Sequence, residues 1–361
     1  MINQDRLLNT FLDLVKIDSP FGEEGEVARY SAGRLRGLGF EVHTDDLNNV
    51  YGYLPGNGQP LLLNAHMDGV EPCRGIKPVV GADGVIRSDG TTILGSDDRA
   101  GVAAILEASH VVTSEKMAHL PIEIVLTVRE EGGLFGAKSL DYARIRAKQG
   151  LAVDGGGATN TFVIAAPSQN GIVATVYGKA AHAGAAPETG INAIRVIAEA
   201  IARMPLGRID EETTSNIGTI HGGTASNIVP DRVEVKGEVR SHAEKKLQQY
   251  TQQIVDEMET AATKANARAD VTITRSYTSF RLRESDALVK RVAEVAKALE
   301  LDPDFVSAGG GSDANIFNAH GIRTLIVSAG VMNPHTTSEY VALPDMISCT
   351  EFLVAMLTNN V

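Results

Sequence analysis

Residues 172–277 interrupt one folding rhythm with another, and that interruption narrows the architectures open to this chain more than any single motif. Before it, short apolar runs closed by glycine or polar clusters alternate with longer helical patterns. They are strand-like at 61–65, helical at 100–112, strand-like at 122–128, the start of a helix at 136–140 and strand-like again at 151–153. Such alternation specifies an open α/β sheet flanked by helices. Within the interruption, 172–177 alternates as a strand, 191–204 is helical, 215–220 and 232–239 are strand runs, 243–267 is helical and 271–277 is a strand. That β-α-β-β-α-β order is the ferredoxin-like split pattern. Afterwards a helix at 286–299, a strand at 323–327 and a helix at 347–357 resume the first rhythm. The economical organisation is an α/β, mixed-sheet catalytic domain flanked by helices and built from 1–168 and 283–361. An α+β ferredoxin-like domain, 169–282, is inserted into it through joints near 168–170 and 279–283.

The chain has 361 residues, enough for two domains of ordinary size. Its 33 basic and 45 acidic residues give a formal charge of -12, which leaves no broad basic face for nucleic acid or anionic lipid. No apolar run reaches the length of a membrane span. Residues 1–19 read as an amphipathic helix carrying Leu7, Leu8, Phe11, Leu12, Leu14 and Val15, without the basic start and cleavage signal of a secretory peptide. Cys73 and Cys349 are the only cysteines, so neither a disulfide framework nor a thiolate zinc cluster is available. A reducing, cytoplasmic setting is the expectation.

Four places in the first half put oxygen or nitrogen ligands at or beyond the end of an expected strand: His66 with Asp68, Asp97 with Asp98, Glu130 with Glu131, and Asp154. In open α/β sheets the carboxyl ends of the strands are where ligands bind, so topology alone brings these groups to one edge. Each has an ordinary explanation in isolation. A His two residues before an Asp is common in loops, Asp97 and Asp98 precede a helix and suit an N-cap, paired acids usually face water, and Asp154 before Gly155–Gly156–Gly157 suits a turn. Together they form an imidazole-and-carboxylate set suited to zinc, manganese or cobalt in a hydrolytic site, with more carboxylates than one ion uses.

Three stretches make the set specific: His66-Met67-Asp68-Gly69-Val70, Ser88-Asp89-Gly90-Thr91-Thr92-Ile93-Leu94-Gly95-Ser96-Asp97-Asp98-Arg99-Ala100-Gly101, and Arg129-Glu130-Glu131-Gly132-Gly133-Leu134-Phe135-Gly136-Ala137. They resemble the M20 metallopeptidases, and within them the peptidase T-like branch. The resemblance covers nearly the whole chain, including the order of the inserted domain. It implies two divalent metal ions, zinc or else cobalt or manganese, with Asp97 bridging them, His66 and Asp154 completing one shell, and Glu131 and His335 the other. It also implies that Asp68 orients His66, that the Asp97–Asp98 peptide is cis, and that Glu130 is the general base. In the inserted domain, Lys179-Ala180-Ala181-His182-Ala183-Gly184 matches the segment whose His stabilises the oxyanion, in several relatives across a dimer interface. Ser226-Asn227-Ile228-Val229-Pro230-Asp231 and Glu238-Val239-Arg240-Ser241 match segments in which Asn227 would contact substrate and Arg240 would hold a substrate carboxylate.

The Gly309-Gly310-Gly311-Ser312-Asp313 loop would let the backbone approach substrate closely, placing Gly311 and Ser312 at the binding site. It is no phosphate loop, because no Gly-Lys-Ser/Thr follows. An Asp at position 154 implies, by the resemblance, enzymes that cut short peptides with a free amino end. Glu there is common among carboxypeptidases and deacylases. The expectation is therefore an aminopeptidase acting on tripeptide-like substrates, homodimeric through its inserted lid and dimerisation domain. An amidohydrolase, deacylase or carboxypeptidase is the alternative, and a non-catalytic binding relative the more remote one.

Overall fold

Leu61–His66 and Ile122–Thr127 are buried at every position, as parallel strands are when helices cover both faces of their sheet. They belong to the larger of two units in the computed structural model, which describes residues 1–358. That unit comprises Met1–Ala165, Arg281–Ser307 and the chain from Ser312 onward, and the smaller comprises Ala166–Phe280 with Ala308–Gly311. Residues 359–361, which the sequence assigns to the large domain, lie outside the described residues.

In the larger unit the strands run Glu41–Thr44, Val50–Leu54, Ile122–Thr127, Leu61–His66, Gln149–Gly156, Arg323–Met332, Tyr340–Ala342, Val85–Arg87 and Val79–Val80 across a mixed sheet. The central pairings, from Ile122–Thr127 through Arg323–Met332, are parallel, and those at both flanks are antiparallel. Helix Ser96–Ser114 is buried almost all round; it packs on the Leu61–His66 strand and against helices Gln4–Lys16 and Leu343–Thr358. Removing a large apolar side chain from such a core costs roughly 2–5 kcal/mol. Gln4–Lys16 turns Leu7, Phe11, Leu14 and Val15 inward, and the Asn3 side chain caps it by accepting from the Arg6 N–H at 2.9 Å.

Three differences from expectation have local causes. The helix expected from 136 is only Phe135–Ser139, entered through Leu134 in the left-handed region at φ 62. Helix Ser96–Ser114 begins earlier than expected, and Asp97 and Asp98 are non-helical within it and make no side-chain cap. Short strands at both sheet flanks escape the apolar pattern, because Glu41–Thr44 carries a single apolar residue, Val42, and Val85–Arg87 is only three residues long.

The smaller unit is an antiparallel sheet in the order Gly207–Asp210, Thr213–Gly222, Arg232–Ser241, Ser168–Tyr177, Arg268–Tyr277. Helices Ala193–Ile201 and Glu244–Lys264 cover one face. Ile172, Ala174 and Val176 alternate inward from Ser168–Tyr177 and meet Val196, Ile197, Leu247, Ile254 and Met258. The four long strands follow the ferredoxin-like arrangement, and the short edge strand Gly207–Asp210 is an addition to it. Among the described residues no helix is long and apolar enough to cross a membrane.

Candidate metal centre

His66 closes its strand, and its ring sits between carboxylates. Its Nε2 lies 3.2 Å from Asp97 Oδ1 and 3.6 Å from Asp154 Oδ1. Asp97 stands in the kinked start of Ser96–Ser114, its peptide to Asp98 cis, and Asp154 lies within Gln149–Gly156. The other oxygen of Asp97, Oδ2, is 3.2 Å from His335 Nε2, which in turn is 2.9 Å from Glu131 Oε1. Thus the two oxygens of one carboxylate face two different imidazoles. The donor atoms of His66, Asp97 and Asp154 fall within 4.8 Å of one another, as do those of Asp97, Glu131 and His335. Five residues far apart in sequence, from strands, the turns beyond them and a helix start, therefore make two adjoining N/O donor sets that share Asp97. This composition, carboxylate and imidazole without thiolate, fits divalent cations of the zinc, manganese or cobalt type.

Charge balance points the same way. Burial pushes the Asp154 carboxyl up to about 7, against the hydrogen bond and charge of His66 and with the charges of Asp97 and Asp313 adding to the rise. Burial likewise holds Glu130 well above the usual carboxylate range, with repulsion from Asp154, Asp313 and Glu131 adding to it. For Asp97, burial works upward but the His335 and His66 bonds outweigh it, and the carboxyl is held low. His335 is raised to about 10 by its bonds to Asp97 and Glu131. Two imidazoles thus face a larger number of buried acids, an imbalance that bound cations would relieve.

Asp68 has a different geometry from the one expected. The nearest acceptor for His66 Nδ1 is the main-chain carbonyl of Asp68 at 3.1 Å, with its carboxylate at 3.5 Å. That carboxylate instead accepts the backbone N–H groups of Glu130 at 2.9 Å and Glu131 at 3.1 Å. One buried residue thereby fixes the imidazole with its backbone and the Glu130–Glu131 turn with its side chain. Arg129, at φ 55, swings the chain into that turn.

In the smaller unit, His182 and Asn227 come together on paired loops. His182 bridges Ile228, and the Ala183 N–H donates to the Asn227 carbonyl at 3.0 Å. His182 Nδ1 accepts from the N–H groups of Gly184 and Ala185, both at 3.1 Å, which leaves the proton of the neutral ring on Nε2. Arg240 is half-buried and gives Nε and Nη2 to the Glu238 carboxylate at 2.7 and 3.1 Å. A Cβ on Gly310 would lie 3.3 Å from its Nη1. Gly311 donates its N–H to Tyr277 Oη at 3.1 Å, and a Cβ there would sit 2.3 Å from the Tyr277 ring, so close packing by tyrosine already demands glycine. The Ser312 hydroxyl is engaged as N-cap of Asp313–Ala319, in a capping box with Asn315. Its sequence, Ser followed three residues later by Asn, carried that signal.

Four buried residues support the centre, of which Asp313, Arg99 and Glu339 carry no assignment from sequence and Asp98 is the neighbour of Asp97 offered there as a ligand. Asp98 Oδ2 accepts the His66 N–H at 3.1 Å. Asp313 accepts from Thr127 and from Asn64, and its carboxyl is raised to about 6, chiefly by burial. Arg99 is fully buried and donates to the Gly95 carbonyl at 3.2 Å. Glu339 accepts four hydrogen bonds from the segment preceding and including Asp97. The sequence signal for Glu339 is only its place four residues after His335.

Burial pushes the Cys73 thiol up to about 11, and Cys349 is also raised by burial, so neither offers a ready thiolate.

Known proteins share this fold. Residues 167–266 match the peptidase dimerisation domain of the M20 enzymes, and residues 49–186 match peptidase family M28. A Bacillus subtilis protein, the uncharacterized protein YqjE, is 40% identical over 99% of both chains. Peptidase T of Brevibacillus brevis is 26% identical over 83% of this chain and 74% of its own. Among solved structures, a tripeptidase from Staphylococcus aureus superposes with a TM-score of 0.94 at 39% identity, covering 99% of this chain and 98% of that one. Aminopeptidase PepT from Bacillus cereus gives 0.89 at 41% identity, with the same coverage. With two adjoining donor sets in place and this similarity running from end to end, the chain belongs to the M20 metallopeptidases, in their peptidase T-like branch, and is a metal-dependent peptidase.

Proposed function

We propose that this protein is an aminopeptidase that releases the N-terminal residue from tripeptide-like substrates. The observation that carries the reading is the divided Asp97 carboxylate, one oxygen toward His66 and the other toward His335, with the buried acid Glu130 in the adjoining turn. His66 and Asp154 would hold one ion and Glu131 and His335 the other, with Asp97 common to both. Two divalent ions, of which zinc suits the ligands best, would supply there the Lewis acidity that makes water nucleophilic at neutral pH.

Glu130 takes the proton of the attacking water and delivers it to the departing amine, one carboxylate serving both steps. Glu131, engaged as a ligand, is unavailable for it. Asp68 keeps His66 and the Glu130–Glu131 turn in register. His182, with its proton on Nε2, donates to the oxyanion that forms on the peptide carbonyl. Asn227 contacts the substrate, and Arg240 holds the far carboxylate, which limits peptide length. Glu238 already takes the Nε–Nη2 side of that guanidinium, so the Nη1 end is the side left for substrate. Gly311 and Ser312 contribute backbone to the same binding site.

Residues 1–168 and 283–361 are read as the catalytic domain and 169–282 as the lid and dimerisation domain, the latter supported by the family match over 167–266. A homodimer formed through it and a cytoplasmic location, consistent with two buried free thiols, complete the reading.

The test is chelation followed by restoration with zinc, cobalt or manganese against a panel of free-amine di-, tri- and tetrapeptides, N-acetyl amino acids and N-blocked peptides. Restored turnover of free-amine tripeptides supports the proposal. Turnover confined to N-acetyl amino acids assigns a deacylase and rejects it, as release of C-terminal residues from N-blocked peptides would assign a carboxypeptidase.

A further inference from the structure

The turn that delivers Asp97 is gripped from two sides by buried groups of opposite charge. Glu339, 1% exposed, uses each carboxylate oxygen twice. Oε2 accepts the N–H groups of Leu94 at 2.9 Å and Gly95 at 2.8 Å, and Oε1 accepts the Ser96 hydroxyl at 2.7 Å and the Asp97 N–H at 2.9 Å. All four partners are donors, so a carboxamide cannot substitute cleanly: its NH2 group would face N–H groups. On the other side, Arg99 donates Nη1 to the Gly95 carbonyl and Nη2 to the Ser19 hydroxyl, which itself donates to the Met67 carbonyl at 2.8 Å. Gly95 lies at φ 70, and a Cβ on it would stand 2.4 Å from Arg99 Nη1, so the turn has no room to relax toward the guanidinium.

Glu339 also lies on the segment that carries His335. One carboxylate therefore ties the loop bearing His335 to the loop bearing Asp97, the two groups whose Nε2 and Oδ2 stand 3.2 Å apart. The His66 side has anchors of its own, the Asp98 carboxylate on its N–H and the Asp68 carbonyl on its ring.

We propose that Glu339 is a positioning residue for one of the two cations, the ion held by Asp97, Glu131 and His335, because it fixes two ligand-bearing loops against each other before the ion arrives. The inference rests on reading these side chains as metal ligands. It predicts an asymmetry, in which loosening Glu339 weakens the ion beside His335 far more than the ion beside His66.

Calorimetric titration of Zn²⁺ alone into chelator-stripped protein tests this, with His335→Ala identifying which binding step belongs to the His335 side. In Glu339→Gln that step should weaken by roughly 10- to 100-fold, and the other by less than about threefold. Ser96→Ala removes one of the four donors and leaves the carboxylate in place, so it reads the same effect in a protein that folds. The same step should weaken by roughly threefold to tenfold. Both steps unchanged in the two variants, or both weakened equally alongside a lower melting temperature, would overturn the positioning role. A wild-type protein that binds fewer than two ions would instead overturn the ligand reading on which it stands.

Discussion

The two units hold their candidate functional groups by opposite means. In the larger, His66, Asp97, Glu130 and Glu131 are fixed by buried, charge-assisted hydrogen bonds between segments far apart in sequence, His66 through Asp98, Asp97 through Glu339, and Glu130 and Glu131 through Asp68. In the smaller, His182 and Asn227 are exposed on loops joined by backbone pairing, and the His182 ring is held by the N–H groups of residues two and three positions on. Buried, multiply bonded carboxylates resist displacement and set distances before a ligand binds. Local turns leave a side chain free to adapt as substrate arrives. The difference suits the roles proposed above, a centre that presents several acids at fixed spacing and a unit whose groups would act when a peptide is present.

Three substitutions sharpen or break that contrast. Glu130→Gln should have the largest effect, lowering kcat by roughly 10²- to 10⁴-fold with KM little changed. In metal-free protein its melting temperature should hold or rise, since burial, with repulsion from Asp154, Asp313 and Glu131, opposes the charge that the substitution removes. Metal content measured alongside must stay at the wild-type level, because loss of an ion would make Glu130 a ligand rather than the base.

His182→Ala should lower kcat by about 10²- to 10³-fold, the loss of one oxyanion donor. Its exposed setting predicts unaltered thermal stability and unaltered zinc affinity. A substantial drop in either would mean that the turn supports structure, and the proposed contrast between the units would fail.

The smallest effect is expected for Arg240→Lys, which loses the planar fork but keeps the charge. The KM for tripeptides with a free carboxylate should rise about tenfold, some 1.4 kcal/mol, while tripeptide amides change little. Equal losses on acid and amide would detach Arg240 from carboxylate recognition.

Legibility from sequence divided along similar lines. His66, Glu130, Glu131 and Asp154 announce themselves because strand periodicity places them at or near strand ends, and an open α/β sheet gathers such residues at one edge. His335 does not. It follows the long strand Arg323–Met332 in an irregular loop, in the left-handed region at φ 63, and no period marks it. Only the resemblance pointed to it. Asp97 and Asp98 pass as helix caps by composition, yet neither caps, because the side chains turn to His66 and His335. Asp98 also accepts the His66 N–H from within that turn. The Ser312 hydroxyl is taken by the helix that follows it, which leaves its backbone as the part available to the proposed substrate contact.

The chain's own pattern decided the class of each segment. Periods of two and 3.6 in apolar side chains, broken by glycine and polar clusters, fix which stretches become strands or helices, because those periods put one face of each element out of water. They also fixed the interruption at 172–277 and its βαββαβ order. Tertiary structure alone decided that Asp97 faces two imidazoles, that Asp68 grips the Glu130–Glu131 turn, and that Glu339 joins loops 242 residues apart. Such contacts depend on where the sheet and the loops at its edge carry residues remote in sequence, and a buried carboxylate is identified by the donors the fold places around it rather than by its neighbours along the chain.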